Sequence, residues 1–391
     1  MKIKIIIVGN GFASLFLIQY FLAFAIFPFF AWFFRHLYSR YEITLIGNGQ
    51  FIYFPAIPEF ITGKKNKKQM TIDIKPFLKR RNIRFINDVV TDIQQGGRTV
   101  ITRNGSYEND MLFMGIGPAF LKNDIPGTEE HTFSPCDGPD AMEAFVNKLE
   151  ALNEGIIYLG FKINKQDGFV AGRAGQMYES AGLLDYALKE KGIRDKFEIH
   201  FFSSNIDPEE KGGITDRLQE RGIILDYGYE PAEFVKGGML DKEESFRKAD
   251  LILFSPGITG PEWIKTTCLP VSIGGQIEVD KFGQVKGLKN VFAAGDCASH
   301  ENPPPWVPHQ AQLRSQAAAK NMQAVLNDKP ATHTYRYELS CIMNLENDAM
   351  WLHMASDDKP PFWNLFPRRS KKLIAVKNLF ERLYLLYLKY L

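Results

Sequence analysis

A β-branched strand that leads through a glycine-containing turn into an apolar helix constrains the fold of this chain more than any other feature. Residues 2–8 (KIKIIIV) predict a buried parallel strand. The turn GNGFAS follows at residues 9–14, and after it comes a stretch with helical spacing. A second short strand is predicted at residues 42–46 (EITLI). The order strand, glycine turn, helix and strand predicts a βαβ unit and therefore an α/β fold.

The residues of this turn suit the pyrophosphate of a dinucleotide. Gly9 permits a tight turn, and Gly11 lets the backbone approach the phosphates. Phe12 and Ser14 begin the helix, whose free N–H groups and dipole favour a negative charge. Ser14 is also small enough for the packing contact that a third glycine usually makes. An acidic residue usually ends the second strand and binds the ribose, but this chain has Gly47 there, followed by Asn48. Either Asn48 or a backbone group takes over this contact, or adenosine binds more weakly.

A second motif lies far along the chain, at residues 290–298 (NVFAAGDCA). The predicted strand there leads to Gly295 and Asp296, and the Asp296 carboxylate can accept a hydrogen bond from a hydroxyl group. The plainer alternative is an aspartate that only caps a helix. A third element places Gly115 in the turn MGIGP, directly after another predicted strand.

With these motifs the chain resembles the flavoproteins that have two dinucleotide-binding domains. Within them it resembles the sulfide:quinone oxidoreductases, with the type II NADH dehydrogenases as near relatives. The resemblance extends over nearly the whole chain and includes residues 53–58 (YFPAIP), 134–136 (SPC), 178–186 and 192–196 (GIRDK). It implies two Rossmann-like domains, FAD as the cofactor, and electron transfer from a small sulfur donor to membrane quinone. Gly295 and Asp296 would then hold the ribityl chain and pyrophosphate of FAD.

The order of the predicted elements divides the chain into three parts. Residues 1–122 and 272–330 form a discontinuous FAD-binding domain, and residues 123–271 form a second Rossmann-like domain. Residues 331–391 form a C-terminal hairpin and an amphipathic helix. The second domain lacks GxGxxG after its first strand (155–160), so its nucleotide site is expected to be degenerate, which favours a sulfur donor over NADH. A type II NADH:quinone oxidoreductase and a catalytically degenerate flavin-binding membrane protein are the alternatives.

Cysteine residues carry the chemistry that the resemblance implies. Oxidation of sulfide at a flavin needs a thiol or disulfide that reacts with sulfide and passes electrons on. The resemblance assigns Cys341 to the cysteine beside the flavin ring and Cys136 to an outer cysteine. The third cysteine of the family should lie six residues before Glu179, where this chain has Arg173. The usual redox pair is therefore incomplete.

Arg173 places a permanent positive charge at that position. If the two side chains are close, the charge is expected to lower the pKa of Cys341 and to attract an anionic donor. Cys341 is then expected to act alone, or to pair with Cys136 after a rearrangement. The alternative, a buried apolar thiol without a redox role, is favoured for Cys136, Cys268 and Cys297.

The segment that follows the Gly-Asp motif is expected to contact flavin and quinone. A proline-rich run at residues 303–308 leads into QAQLRSQ at residues 310–316, which includes Gln312. This stretch resembles the flavin- and quinone-contacting segment of the NADH dehydrogenases. N–H groups at its helix start would stabilise the negative charge of reduced flavin, and an ordinary capped helix is the alternative.

Two segments predict contact with a membrane surface. Residues 26–38 (IFPFFAWFFRHLY) are almost wholly apolar, and form either a hydrophobic turn of the core or an aromatic hairpin inserted into one leaflet. Four basic residues between positions 368 and 372 precede an amphipathic helix, which fits binding to anionic lipid. Packing of this helix on its own domain, or a contact in a homo-oligomer, is the alternative. A peripheral membrane protein is expected, with no cleaved signal peptide, because cleavage near residue 25 would remove the glycine turn.

Charge and cysteine spacing argue against other classes of protein. The formal net charge is only +2, with 24% charged residues, and gives no reason to expect nucleic acid as a partner. The four cysteines lie far apart and form no zinc-site pattern with histidine, so no metal is expected.

Overall fold

The computed structural model describes residues 2–22, 40–164, 173–204, 213–299, 308–355 and 369–390. Three segments that bear on the proposed function lie outside the described residues. They are the aromatic segment at residues 26–38, the run at residues 165–172 of the second domain, and the prolines at residues 303–305.

Five parallel strands form the first sheet, and the glycine turn follows its central strand. Their order across the sheet is Val291–Ala293, Met111–Met114, Ile3–Val8, Tyr41–Gly47 and Arg84–Asn87. Ile5 of the central strand lies opposite Ile43 on one side and Met111 on the other. The chain adds strands first on one side and then on the other, so a topological switch point lies beside the central strand. Pairing of the late strand with Met111–Met114 confirms that the chain returns to this sheet near residue 290.

A second sheet of four parallel strands is built from the middle of the chain. Their order is Ile224–Tyr227, Phe197–Ser203, Gly155–Phe161 and Leu251–Ser255. The helix Ala174–Glu190 (the glutamate helix) packs against this sheet. Phe234 and Met239, from a small antiparallel sheet, share a buried cluster with Phe202 and Phe254. Two parallel sheets with flanking helices make up the mixed α/β fold that the sequence predicts, while the boundaries of the three parts stay a prediction.

The remaining strands are short. Antiparallel sheets of three strands are formed by Val90–Gln94, Thr99–Thr102 and Ser106–Glu108, and by Glu233–Val235, Gly238–Leu240 and Phe246–Lys248. Paired strands are Gln50–Ile52 with Thr71–Asp73, Ala119–Phe120 with Ile258–Thr259, and Ile277–Glu278 with Ala298–Ser299.

Besides the glutamate helix, the described residues contain α-helices at Phe12–Phe21, Lys67–Met70, Lys75–Arg80, Thr128–His131, Pro139–Glu150, Ile214–Gln219, Pro308–Val325 and Lys372–Tyr390. A 3₁₀ helix spans Phe54–Thr62.

A hairpin and a helix form the last described part of the chain. The late hairpin consists of Glu338–Asn344 and Ala349–Ala355, paired antiparallel with Cys341 opposite Leu352. The C-terminal helix, Lys372–Tyr390, packs on the hairpin and on elements of the first domain. Within the described residues, no helix combines the length and the apolar character needed to cross a membrane.

The C-terminal helix buries a partly charged face and exposes an apolar one. Its buried residues are Leu373, Lys377, Glu381, Tyr384 and Leu388. Its exposed large apolar residues are Val376, Leu379, Phe380, Leu383, Leu386 and Tyr390. Most of the apolar stripe predicted from the sequence therefore faces away from the protein, although Leu373 is buried.

Candidate functional site

Three glycine turns converge at the start of the first helix. Gly9 has a φ of +95°, and a Cβ atom there would lie 2.4 Å from the carbonyl oxygen of Gly115. A Cβ atom at Gly115 would lie 2.3 Å from Oγ of Ser14. Gly295 has a φ of +80°, and a Cβ atom there would approach that of Ala13 to 3.0 Å. The backbone segments can pack this closely only because these positions lack side chains.

The N-terminus of the first helix is open where the turns meet. Gly11 is the N-cap residue, no side chain caps the helix, and a Cβ atom at Gly11 would have no heavy atom within 4 Å. Ser14 Oγ is buried and has no hydrogen-bond partner among the described residues. The ring of Phe12 lies 4.9 Å from that of Phe51 and stacks on Tyr384, so Phe12 can offer only its backbone N–H. An open helix N-terminus bounded by glycines fits a pyrophosphate.

Asn10 braces this turn, although the sequence interpretation gave it no role. Its amide nitrogen donates to the carbonyl of Gln50 at 2.6 Å, and its side-chain oxygen accepts from the N–H of Asn48 at 3.1 Å. The side-chain oxygen of Asn48 in turn accepts from the N–H of Gln50 at 3.0 Å. Asn48 is exposed beside the turn, and its contact with a ribose stays a prediction.

Arg173 and Asp296 form an ion pair. The guanidinium nitrogen Nη2 of Arg173 lies 2.6 Å from Oδ2 of Asp296, and both side chains are largely buried. Arg173 is the N-cap residue of the glutamate helix, so the pair joins the second domain to the Gly-Asp turn of the first. Its positive charge also acts on Cys136: burial raises the pKa of this thiol, and Arg173 partly offsets that effect.

The pKa of Cys341 is raised, not lowered. Burial and the negative charge of Glu179 raise it to about 11, and Lys377 acts in the opposite direction. The expectation that Arg173 would lower this pKa is therefore wrong. The positive charge that acts on Cys341 comes from Lys377, whereas the guanidinium of Arg173 is paired with Asp296 and acts on Cys136.

A buried charge cluster (Glu59, Glu179 and Lys377) adjoins Cys341. Lys377 Nζ lies 3.3 Å from Oε1 of Glu59 and donates a shorter hydrogen bond to Oε1 of Glu179, which also accepts from the N–H of Asn344 at 3.2 Å. Burial raises the pKa of Glu179 to about 7 against the opposing effect of Lys377. The sequence interpretation missed this cluster. One signal was present, since Glu59 interrupts the otherwise apolar stretch FPAIPEFI.

All four cysteines are free. Cys136 and Cys297 are buried, with Sγ of Cys136 at 3.3 Å from Oγ of Ser255, and burial raises the pKa of Cys297 to about 12. Cys268 is exposed. Cys341 is half-buried in the late hairpin. Glu179 and Lys377 of the buried charge cluster act on its thiol.

The helix Pro308–Val325 brings a buried arginine to the Gly-Asp turn. Arg314 Nη1 donates to the carbonyls of Gly295 at 3.4 Å and Ala298 at 3.5 Å, and burial lowers its pKa to about 10. Gln312 donates from its side chain to the hydroxyl of Tyr20 at 2.8 Å, and its contact with the flavin stays a prediction. A flavin contact by the backbone of this helix stays a prediction.

Comparisons with known proteins agree with this geometry. The model of the pyridine nucleotide-disulphide oxidoreductase family matches residues 198–321. The sulfide-quinone reductase of Aquifex aeolicus is 27% identical over 379 residues, which cover 90% of this chain and 86% of that protein. The type II NADH:quinone oxidoreductase of Staphylococcus aureus is 21% identical over 323 residues, which cover 76% of this chain and 78% of the relative.

A solved structure has the same fold. The sulfide:quinone oxidoreductase of Aquifex aeolicus superposes with a TM-score of 0.82 at 23% identity, over 99% of this chain and 91% of the other. The fold is that of the FAD/NAD(P)-binding flavoproteins. Among these, the resemblance to the sulfide:quinone oxidoreductases that the motifs predict is confirmed.

Replacing Asp296 with alanine is expected to lower FAD retention about tenfold or more, because a hydrogen bond to a charged group contributes ~1.5–3 kcal/mol. The ratio of flavin to protein after dilution and gel filtration measures this. Arg173→Gln is the matched control: it breaks the same ion pair but leaves the carboxylate, so it should lose much less flavin. Equal losses in both variants would mean that Asp296 serves only the ion pair.

Proposed function

We propose that the protein is an FAD-dependent, quinone-linked oxidoreductase of the sulfide:quinone oxidoreductase type. Electrons would pass from a small sulfur donor through FAD to membrane quinone. The observation that carries the proposal is the position of Cys341 in the strand Glu338–Asn344, whose Asn344 N–H donates to the buried carboxylate of Glu179. The charges of Glu179 and Lys377 act on the Cys341 thiol. Similarity to a sulfide-quinone reductase and to type II NADH:quinone oxidoreductases supports the quinone link.

Residues of the three glycine turns would hold the cofactor. The N–H groups at Gly11 and Phe12 suit the pyrophosphate, and the open space at Gly11 leaves room for it. Asp296 has one carboxylate oxygen on Arg173, which leaves the other for a ribityl hydroxyl. When bound, FAD supplies two-electron chemistry between the donor and the quinone.

Cys341 needs a base before it can act as a nucleophile. A thiol whose pKa is about 11 is almost wholly protonated near neutral pH, and the thiolate is the reactive form. Glu179 is ionised above about pH 7 and its charge acts on the thiol, so we propose it as the group that accepts the proton when the donor is bound. Protonation of Glu179 also removes the negative charge that raises the thiol pKa, so the two titrations are coupled. Lys377 stabilises the carboxylate of Glu179 and the thiolate of Cys341. Its ammonium group lies against the carboxylates of Glu59 and Glu179, and its charge acts on the thiol.

Arg173 limits the chemistry that this site can perform. Without a cysteine at this position, a sulfur chain has no second thiol to bridge to there. We therefore infer a single reactive cysteine, Cys341, and slow sulfide turnover of the ordinary kind. The ion pair with Asp296 gives Arg173 a structural role at the cofactor turn instead.

Anaerobic sulfide is expected to bleach the flavin absorbance of the purified protein, whereas NADH is not. The reason is that the thiol and its base are present, while the nicotinamide motif is absent from the second domain. Spectra recorded after separate additions of the two donors make the measurement. Cys341→Ser should abolish bleaching by sulfide, and Cys268→Ser, which changes the exposed cysteine, should not. Bleaching by NADH would favour a type II NADH:quinone oxidoreductase. If neither donor bleached the flavin, a degenerate flavin-binding protein would be favoured.

Replacing Glu179 with glutamine is expected to change two rates in opposite directions. Alkylation of Cys341 by iodoacetamide should become faster, because a negative charge that raises the thiol pKa is removed. Flavin reduction by sulfide should slow by roughly a hundredfold or more, because general base catalysis contributes ~10²–10⁴-fold. Glu190→Gln, an exposed change on the same helix, is the control and should alter neither rate. Parallel changes in the two rates would contradict the assignment of Glu179 as the base.

We also infer that the exposed apolar face of the C-terminal helix inserts into a membrane surface. Leu379, Phe380 and Leu383 are 57%, 59% and 57% exposed, which is unusual for three neighbouring large apolar side chains. Lys371 and Lys372 are exposed at the start of the helix, where they can meet anionic lipid. Quinones of respiratory chains reside in lipid, so this contact would bring the site to its substrate.

The double variant Phe380→Gln/Leu383→Gln is expected to bind neutral phosphatidylcholine vesicles at least tenfold more weakly, because burial of each large apolar side chain contributes ~1.5–3 kcal/mol. Co-sedimentation with the vesicles measures the loss, and the flavin content should not change. Phe246→Gln/Ile273→Gln removes two exposed apolar side chains from other surfaces and should have no effect. Unchanged binding by the first variant would mean that another part of the protein contacts the membrane.

A further inference from the structure

A basic cavity opens at the edge of the first sheet opposite the glycine turns. Its volume is about 500 Å³. Its lining includes Lys2, Tyr41 and Arg84, which stand at or just before the first residues of three parallel strands. The glycine turns follow the carboxyl ends of the same sheet, so this cavity is separate from the proposed cofactor site.

The cavity carries an excess of positive charge. Lys2, Lys75, Lys79 and Arg84 line it, against one carboxylate, Glu42. Within the described residues, none of these four cations forms an ion pair. In contrast, the lysines at positions 64, 65 and 67 of the neighbouring loop each have a carboxylate within 2.6 Å. Four exposed cations that line one cavity and have no carboxylate in an ion pair among the described residues favour the binding of an anion there.

The element that supplies two of these lysines also supports the C-terminal helix. Lys75 and Lys79 belong to the helix Lys75–Arg80, and Arg80 Nη2 donates to the carbonyl of Leu388 at 3.0 Å. The next residue, Arg81, donates from Nη2 to the hydroxyl of Tyr387 at 3.0 Å. The last turns of the C-terminal helix, which contain the exposed Leu386 and Tyr390, therefore lie against the element that carries the lysines.

We propose that this cavity binds the phosphate of an anionic phospholipid headgroup. The proposal rests on the membrane contact proposed for the C-terminal helix, because the element that carries Lys75 and Lys79 packs on the last turns of that helix. A free phosphate ion would satisfy the charges equally well, but it would make no use of the exposed apolar face of the C-terminal helix. Lys75 Nζ also lies 5.8 Å from the centre of the Phe85 ring, so the cavity has an apolar wall beside its cations.

The first test compares vesicles of phosphatidylcholine with vesicles that also contain phosphatidylglycerol. The holoprotein is expected to bind the anionic vesicles more tightly. Lys75→Gln/Lys79→Gln should lose that gain, by roughly tenfold or more for two charges, and keep its binding to phosphatidylcholine. Lys236→Gln/Lys242→Gln is the control, because it removes two exposed charges that lie outside both the cavity and the C-terminal helix. An equal or larger loss in the control would mean that a diffuse charge attraction acts, and would overturn the proposal.

The second test needs no membrane, so its failure is distinct from failure of the membrane contact. Dihexanoyl-phosphatidylglycerol, kept below its micelle concentration, is titrated into the holoprotein by calorimetry. Saturable binding that disappears in Lys75→Gln/Lys79→Gln and persists in Lys236→Gln/Lys242→Gln is the expected result. Inorganic phosphate at equal concentration should not compete with the lipid. Competition would identify free phosphate as the ligand. The absence of any saturable binding would show that the cavity is not a binding site for this headgroup.

Discussion

A buried lysine joins the C-terminal helix to the interior of this protein. Lys377 lies between Glu59, in the segment after the second strand, and Glu179 of the glutamate helix. Burying these charges is costly, and the cost is offset only because each has a partner of opposite sign at short range. Loss of Lys377 would leave two carboxylates together in an apolar setting. The late hairpin, the helix and the thiol of Cys341 all depend on this contact for their placement.

The same interaction explains why the C-terminal helix has its apolar face outside. An amphipathic helix on a water-soluble domain normally turns its apolar stripe inward. Here Lys377 and Glu381 face inward, where Glu381 pairs with Lys65 at 2.5 Å. Tyr384 then packs on Phe12 and on the aromatic residues around it. With the inward face occupied by these groups and by Leu373 and Leu388, the side chains of Leu379, Phe380, Leu383 and Leu386 are left on the outside.

Much of the fold, and part of the candidate site, could be read from the sequence. The glycines at positions 9, 115 and 295 are local signals, since each follows a strand and permits a backbone conformation or approach that other residues resist. Their convergence follows from parallel pairing in one sheet. Asn10 and Arg314 escaped notice because their roles depend on contacts with distant segments, which no local pattern records.

Arg173 and Cys341 also show that contacts between distant segments cannot be predicted from a local sequence pattern. Position in a family pattern places a side chain near a site, but it does not decide which of several neighbours the side chain contacts. A guanidinium forms strong charge-assisted hydrogen bonds with a carboxylate, and Arg173 forms one with Asp296. The pKa of Cys341 is set by burial and by the charges of Glu179 and Lys377.

The outward apolar face of the C-terminal helix has a consequence for the protein in water. Leucine and phenylalanine side chains that have no lipid to enter lower their free energy by meeting the same face of another molecule. Self-association would then compete with the proposed contact with lipid for one surface. Particle size in dilute aqueous solution will depend on protein concentration, and detergent or vesicles will disperse the aggregates by mass action rather than by unfolding the chain.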